Sequence, residues 1–217
     1  MPEQEPRLNS KRERWNKRYA ARELIWSAGP NALLAEEFSN LAVGRALDAA
    51  CGEGRNALWL AEQGWQVTAM DFSDVAISKG QQIAERRGLH LNWQVADLTV
   101  DPIPAGAFDL VTVIYLHTDP ATRAQWLPRL VNAVAPGGTF FYLGHAMENI
   151  GQGRGGPQDP ELLPSAEEIA SALPGFELQR AELYERTVDA DPGHGPASGA
   201  DIAIDSVVRA VRTIRAD

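Results

Sequence analysis

Between residues 45 and 143, short apolar or β-branched runs alternate with helical patterns, which confines this stretch to βαβ units around a largely parallel sheet. Strands are expected at 45–50, 65–70, 91–96, 108–115 and 139–143. The uncharged run Leu110-Val-Thr-Val-Ile114 reads as a strand buried on both faces. Helices are expected at 54–63, stopped by Gly64, and at 74–87, stopped by Gly88. Another should start at Asp119-Pro120, where Asp caps the free amides and Pro fits the first helical position. Pro128 falls within it and predicts a kink or an early break. Pro136-Gly-Gly138 should turn into the fifth strand. Upstream, residues 10–40 look helical, with Trp15 and Tyr19 on one face.

Past the fifth strand the texture changes. Residues 146–164 hold four glycines and three prolines, the content of a long binding loop or lid. Ser165-Ala-Glu-Glu168 is a capping box opening another helix. Two closing strands follow, 176–188 and 201–214, with a loop from Asp189 to Ala200 between them.

The most informative segment is Ala46-Leu-Asp48-Ala-Ala-Cys-Gly52-Glu-Gly54-Arg-Asn, a hydrophobic strand running into a Gly-x-Gly turn and a helix. Glycines there permit a tight turn and a close ligand approach. Residues 52–57 also satisfy the dinucleotide pattern G-x-G-x-x-G/A, so the ligand must be decided by the surrounding charge. Three carboxylates supply it. Asp48 lies inside the turn region, where it repels a pyrophosphate and suits a cationic aminoacyl group. Asp71 ends the second strand, 17 residues after Gly54, placed to bond ribose hydroxyls. Asp97 ends the third strand, where a carboxylate can accept from an adenine amino group. A ligand with ammonium, ribose and adenine parts, and no phosphate, fits the set.

These residues resemble the class I S-adenosylmethionine-dependent methyltransferases. Leu47-Asp48 through Gly54 is similar to the family's first motif, Val67–Ser73 to its second, and Ala96-Asp97-Leu98 to its adenine-contacting step. Phe108-Asp-Leu-Val111 and Leu130–Gly138 resemble its fourth- and fifth-strand motifs. Ala50 stands where the family usually has its first glycine, a methyl group that ordinary backbone angles would tolerate. Upstream, Trp15-Asn-Lys-Arg-Tyr19, Trp26 and Gly29-Pro-Asn31 resemble the small-molecule branch that holds the tellurite-resistance and thiopurine methyltransferases.

The resemblance implies an α/β, doubly wound, Rossmann-like seven-stranded sheet with its last strand antiparallel and helices on both faces. It implies S-adenosyl-L-methionine as cofactor, held by Asp48, Ala50, Gly52, Gly54, Arg55, Asn56, Asp71, Phe72, Ser73, Asp97, Leu98, Tyr115 and Trp26. A single domain is expected, with a helical cap at 1–44, a cofactor-binding core at 45–145, and a lid loop, helix and strand pair at 146–217. His117 and His145 follow the fourth and fifth strands at the ligand-binding edge and are the candidate proton acceptors. Arg154 and its glycine-rich loop are placed to close over an acceptor, while His194 reads as a surface-loop residue. Two rivals stand beside this reading: a nicotinamide-dependent oxidoreductase, and a module that binds the cofactor without catalysis.

Composition sets the remaining bounds. The one cysteine, Cys51, leaves no internal disulfide and no thiolate zinc site within the chain, and reads as a packing residue. No metal site is expected. No apolar run approaches the roughly 20 residues of a membrane span, and the polar start lacks a signal-peptide core, so a cytoplasmic address is expected. Residues 1–45 carry a balance of +2 and the remainder −11. That acidic body argues against a nucleic-acid substrate. The basic cluster Lys11, Arg12, Arg14, Lys17, Arg18 and Arg22 reads as a solvated helix face. The expected partner is a small-molecule acceptor, with the chain a monomer or homodimer.

Overall fold

The computed structural model describes residues 4–21, 29–188 and 202–214, with backbone alone for residues 4–10. Among these, the chain runs α1 (Gln4–Ala20), α2 (Ala32–Phe38), β1 (Arg45–Ala49), α3 (Arg55–Glu62), β2 (Gln66–Asp71), α4 (Asp74–Arg87) and β3 (Asn92–Val95). It continues through β4 (Phe108–Ile114), α5 (Pro120–Ala133), β5 (Val134–His145), α6 (Ala166–Ser171), β6 (Phe176–Thr187) and β7 (Ile202–Arg212). Trp26, Arg22, His194 and the 189–200 loop lie outside the described residues.

The seven strands form one sheet in the order β3-β2-β1-β4-β5-β7-β6. β1 to β5 pair in parallel, and β7 runs antiparallel to both β5 and β6, as the resemblance implies. Strand alternation sends Leu47, Val111, Val113, Phe140 and Tyr142 to a core with Trp126 of α5 and Ile169 of α6. It sends Ala46, Leu110, Phe141 and Val207 to a second core with Leu34 and Phe38 of α2 and Leu60 of α3. Order reverses between β1 and β4, so the crevice outside their carboxyl ends is where a doubly wound sheet binds ligands.

The helix ends follow their local chemistry. Ser73 caps α4 by accepting from Ala76 N, and Gly88 closes it in the left-handed region. Asp119 accepts from Thr122 N at the start of α5, and Ser165 accepts from Glu168 N at the start of α6.

The early break allowed for at Pro128 and the turn expected at 136–138 are not found. Pro128 does not break α5, which runs unbroken for 14 residues. Pro128 and Ala124 both face solvent, so the carbonyl that loses its amide partner is open to water, while Leu127, Leu130 and Val131 anchor the buried side. Pro136-Gly137-Gly138 does not precede the fifth strand but sits inside it as a bulge. Pairing jumps from Phe108↔Val134 to Leu110↔Thr139, and Gly137 takes φ +77° to absorb the extra residues. The 146–164 segment contains two one-turn 3-10 helices, Met147–Asn149 and Pro160–Leu162. It is tied to β7: Ala146 N donates to Ile204 O, Arg154 N to Ile202 O, and Ile204 N to Asn149 Oδ1.

α1 is docked on the β2–α4 corner. Arg12 and Asn16 bond Asp74, Ser73 Oγ donates to Asn16 Oδ1, and Lys11 lies 3.5 Å from Asp119. Arg18 lies over the Trp15 ring. These ion pairs and ring contacts are what a structural helix face makes of its cations.

Candidate active site

β1 enters the glycine turn through Ala50, which sits at φ +57°. The ordinary backbone angles that would make its methyl group harmless are therefore not adopted. An L-residue held in the left-handed region costs about 1–2 kcal/mol. Tyr115, just past the end of the adjoining β4, is the other non-glycine with positive φ among the described residues, at +56°. Two strained residues thus flank the switch point, the kind of location where strain accompanies function.

The two glycines serve packing as well as the turn. A Cβ on Gly52 would lie 2.8 Å from the Tyr19 hydroxyl, and one on Gly54 would lie 2.4 Å from the Trp93 ring. Gly52 is thus covered by α1, and the space beside Gly54 is filled by the protein rather than left to a ligand.

The three acids prove unequal. Asp48 is 1% exposed; its Oδ2 accepts from Ala57 N and its Oδ1 from the Thr112 hydroxyl. It braces β1, β4 and α3 from behind the turn, with one bond to each oxygen. Burial pushes its carboxyl up to about 7. Asp71 accepts from Gly52 N at 2.9 Å and Ser73 N at 2.8 Å. A carboxylate has about four lone-pair sites, so two remain. Burial raises its pKa, against the two amides that lower it. Asp97 binds Thr99 N and the Thr99 hydroxyl through Oδ1 alone. Its Oδ2 is buried without a partner, an acceptor awaiting a donor.

Other residues named for the cofactor also make contacts within the protein. Asn56 Oδ1 accepts from Asn31 N, tying α2 to α3. Ser73 is fully buried as the α4 cap, and Leu98 is buried in the core. Phe72 and Arg55 are half-buried at the edge. Cys51 packs against the α3-side core, and burial pushes its thiol up, as suits a packing residue.

A second polar group lies at the same edge, under β4, β5, β6 and β7. The Tyr115 hydroxyl and Arg186 Nε each donate to Asp205 Oδ2 at 2.8 Å. His145 Nδ1 lies 3.0 Å from Asp205 Oδ1, off the ideal hydrogen-bond line. The His117 and His145 rings stack at 5.4 Å and 14°, and His145 N donates to His117 Nε2 at 3.1 Å. Both expected histidines are therefore in one cluster, and Tyr115 belongs to it through its hydroxyl. Asp205 and Arg186 were missed from sequence. The available signal was Asp205 as the lone acid in the apolar run Ile202-Ala-Ile-Asp205-Ser-Val-Val208.

The set of open acceptors fits an aminoacyl nucleoside better than a dinucleotide. The α3 amide of Ala57, which a pyrophosphate would use, is already bound by a carboxylate. Residues 46–138 match a protein-family model described as a methyltransferase domain. The chain is 37% identical over 101 residues to the demethylmenaquinone methyltransferase of Thermus thermophilus, covering 46% of each protein. It is 33% identical over 103 residues to the 2-heptyl-1-hydroxyquinolin-4(1H)-one methyltransferase of Mycobacteroides abscessus, covering 46% of this chain and 45% of that one. The chain thus matches less than half the length of these curated relatives. An S-adenosylmethionine-dependent methyltransferase structure from Methanosarcina mazei shares the fold, with TM-score 0.64 and 16% identity over 86% of this chain and all of that one. The methyltransferase-domain match thus spans residues 46–138, the β1–β5 part of the sheet, and the fold shared with the solved structure extends over most of the chain.

Proposed function

We propose that this protein transfers a methyl group from S-adenosylmethionine to a small-molecule acceptor. The observation that carries the reading is Asp97 Oδ2, a buried acceptor without a donor, at the strand end next to Asp71 with its two spare lone-pair sites. Asp97 would take the adenine amino group and Asp71 the ribose hydroxyls, with Phe72 beside them. The glycine turn, with Ala50, Gly52 and Arg55, would carry the aminoacyl end, and the Asp48 charge would act on it from behind. Bound there, the sulfonium supplies an activated methyl electrophile. The chain's task is alignment and exclusion of water.

The acceptor would lie beyond Tyr115, His117 and His145, under a cover made by α1 and the 146–164 segment with Arg154. In this reading residues 1–217 form one domain with the cap, core and lid divisions given above. The acceptor is a small molecule rather than a nucleic acid, since Lys11 and Arg12 are engaged by acids of the body. A cytoplasmic monomer or homodimer is our reading; no described helix is long and apolar enough to cross a membrane. Membership of the small-molecule branch rests on Trp15, Tyr19 and the Gly29-Pro-Asn31 stretch. Filter assays with methyl-tritiated S-adenosylmethionine against phenols, carboxylates, amines and thiols test the activity. Label transfer to none of them would count against it.

A further inference from the structure

Four distant chain segments deliver one buried cluster to the carboxyl edge: Tyr115 and His117 after β4, His145 ending β5, Arg186 near the end of β6, and Asp205 in β7. Apolar side chains would fill such a site at equal or better stability, because removing a carboxylate and a guanidinium from water is costly. A role for the cluster is therefore to be sought in its chemistry.

The hydrogen bonds give the two imidazoles different states. His117 Nε2 accepts from a backbone amide, so its proton sits on Nδ1 and the ring is neutral. Burial, with His145 beside it, pushes its pKa down to about 3. It is a clamp on the β5 terminus. His145 is 6% exposed, and its Nδ1 faces the carboxylate of Asp205, itself wholly buried. Burial pushes Asp205 up, but contacts with His145 and Arg186 more than offset this and hold it below its usual range. An ionised Oδ1 against Nδ1 favours the tautomer with Nδ1–H, which leaves the lone pair on Nε2. The ring is fixed by His117 stacked on it, Tyr115 at 4.9 Å, and the 146–164 segment, where a Cβ on Gly156 would lie 2.5 Å from the imidazole. The charged and titratable groups around it are Asp205 from β7, Tyr115 and His117 from the β4–α5 connection, Arg186 from β6 through Asp205, and Arg154 in the covering segment.

We propose that His145 is the proton acceptor for a hydroxyl-bearing methyl acceptor, with Asp205 as its positioning residue and His117 as its support. The proposal rests on the methyltransferase reading and names the acceptor class within it. The hydroxyl proton passes to His145 Nε2 as the oxygen bonds the methyl carbon, and the carbon–sulfur electron pair stays on sulfur. The imidazolium formed faces Asp205 and later releases its proton to water. An alcohol or phenol needs this service at neutral pH; a thiol or a metalloid oxyanion ionises without it.

Two measurements test it. Nitrogen-15 NMR of the wild-type imidazoles needs no acceptor and should show His145 protonated on Nδ1 with a free Nε2. Methyl transfer to catechol, 1-naphthol and thiophenol is then followed from pH 6 to 9 in wild type, His145→Gln and Asp205→Asn. A hydroxyl probe should be methylated, and His145→Gln should lower kcat by about 100-fold or more, the scale of general-base catalysis. Its dissociation constant for S-adenosylhomocysteine should stay within about twofold, because the base lies outside the cofactor set. Asp205→Asn should lower kcat and shift the His145 nitrogen-15 signals toward the Nε2–H tautomer, since the carboxylate holds the proton on Nδ1. The proposal falls if the wild-type proton sits on Nε2, if no hydroxyl probe is methylated, or if His145→Gln stays within about threefold of wild type. Failure of wild type to bind S-adenosylhomocysteine would overturn the methyltransferase reading itself.

Discussion

Asp48→Asn should make the protein more stable at pH 8, by an amount that vanishes at low pH. Asp48 is fully enclosed, and burial raises its carboxyl from 3.8 to about 7. The sign follows from proton binding. Below about pH 4 the group is protonated both folded and unfolded and contributes no difference. Between about 4 and 7 the unfolded chain releases the proton while the folded chain keeps it, so stability falls as pH rises. Above about 7 the loss is complete. A separation of about three pKa units at 1.36 kcal/mol each gives about 4 kcal/mol, and relaxation on mutation reduces the recoverable part to about 2–4 kcal/mol. Asparagine fits the same hydrogen bonds. Its oxygen can accept from Ala57 N, and its amide can donate to Thr112 Oγ1, whose hydroxyl then turns to Leu47 O at 3.3 Å. Urea unfolding of both proteins at pH 4, 6 and 8 measures the gap. A variant less stable than wild type at pH 8, or a difference that does not change with pH, would refute the argument.

Ala50→Gly should raise stability by about 0.5–1 kcal/mol: relief of the left-handed conformation outweighs the extra freedom glycine has when unfolded. Thermal melts should move up by about 1–4 °C, and a lower Tm would show the strain is not at this residue. Gly54→Ala should do the reverse, since its Cβ meets Trp93 at 2.4 Å on a backbone at φ +80°. Overpacking and φ together put the loss at about 2–4 kcal/mol in the same urea assay; a neutral effect would mean Trp93 moves freely.

What the sequence disclosed follows from how local each signal is. The α4 helix was legible to the residue because Ser73 and Gly88 bound it through interactions within one turn. The parallel character of the sheet was legible because β1 and β4, buried on both faces, write continuous apolar runs. Pro136-Gly-Gly138 was misread because a turn and a bulge use the same residues, and only pairing with β4 distinguishes them. Pro128 does not end α5 because its cost depends on which side of the helix faces water. At the site, the strand ends that carry Asp71 and Asp97 were legible, whereas the bonds that hold the Asp48 carboxyl come from Thr112 and Ala57, which no local pattern pairs with it. The Asp205–Arg186 pair joins segments brought together only by the β6–β7 pairing, which no local pattern announces.

The central claim is that the carboxyl edge between β1 and β3 holds a sulfur-containing adenosyl cofactor. Isothermal calorimetry of S-adenosylhomocysteine and NADH, with wild type and Asp97→Ala, tests it most directly. Wild type should bind S-adenosylhomocysteine and give no heat with NADH. Asp97→Ala, with its folding checked by circular dichroism, should bind about 10- to 100-fold more weakly, the worth of one hydrogen bond to a charged group. NADH binding without S-adenosylhomocysteine binding, or an Asp97→Ala isotherm identical to wild type, would contradict the account.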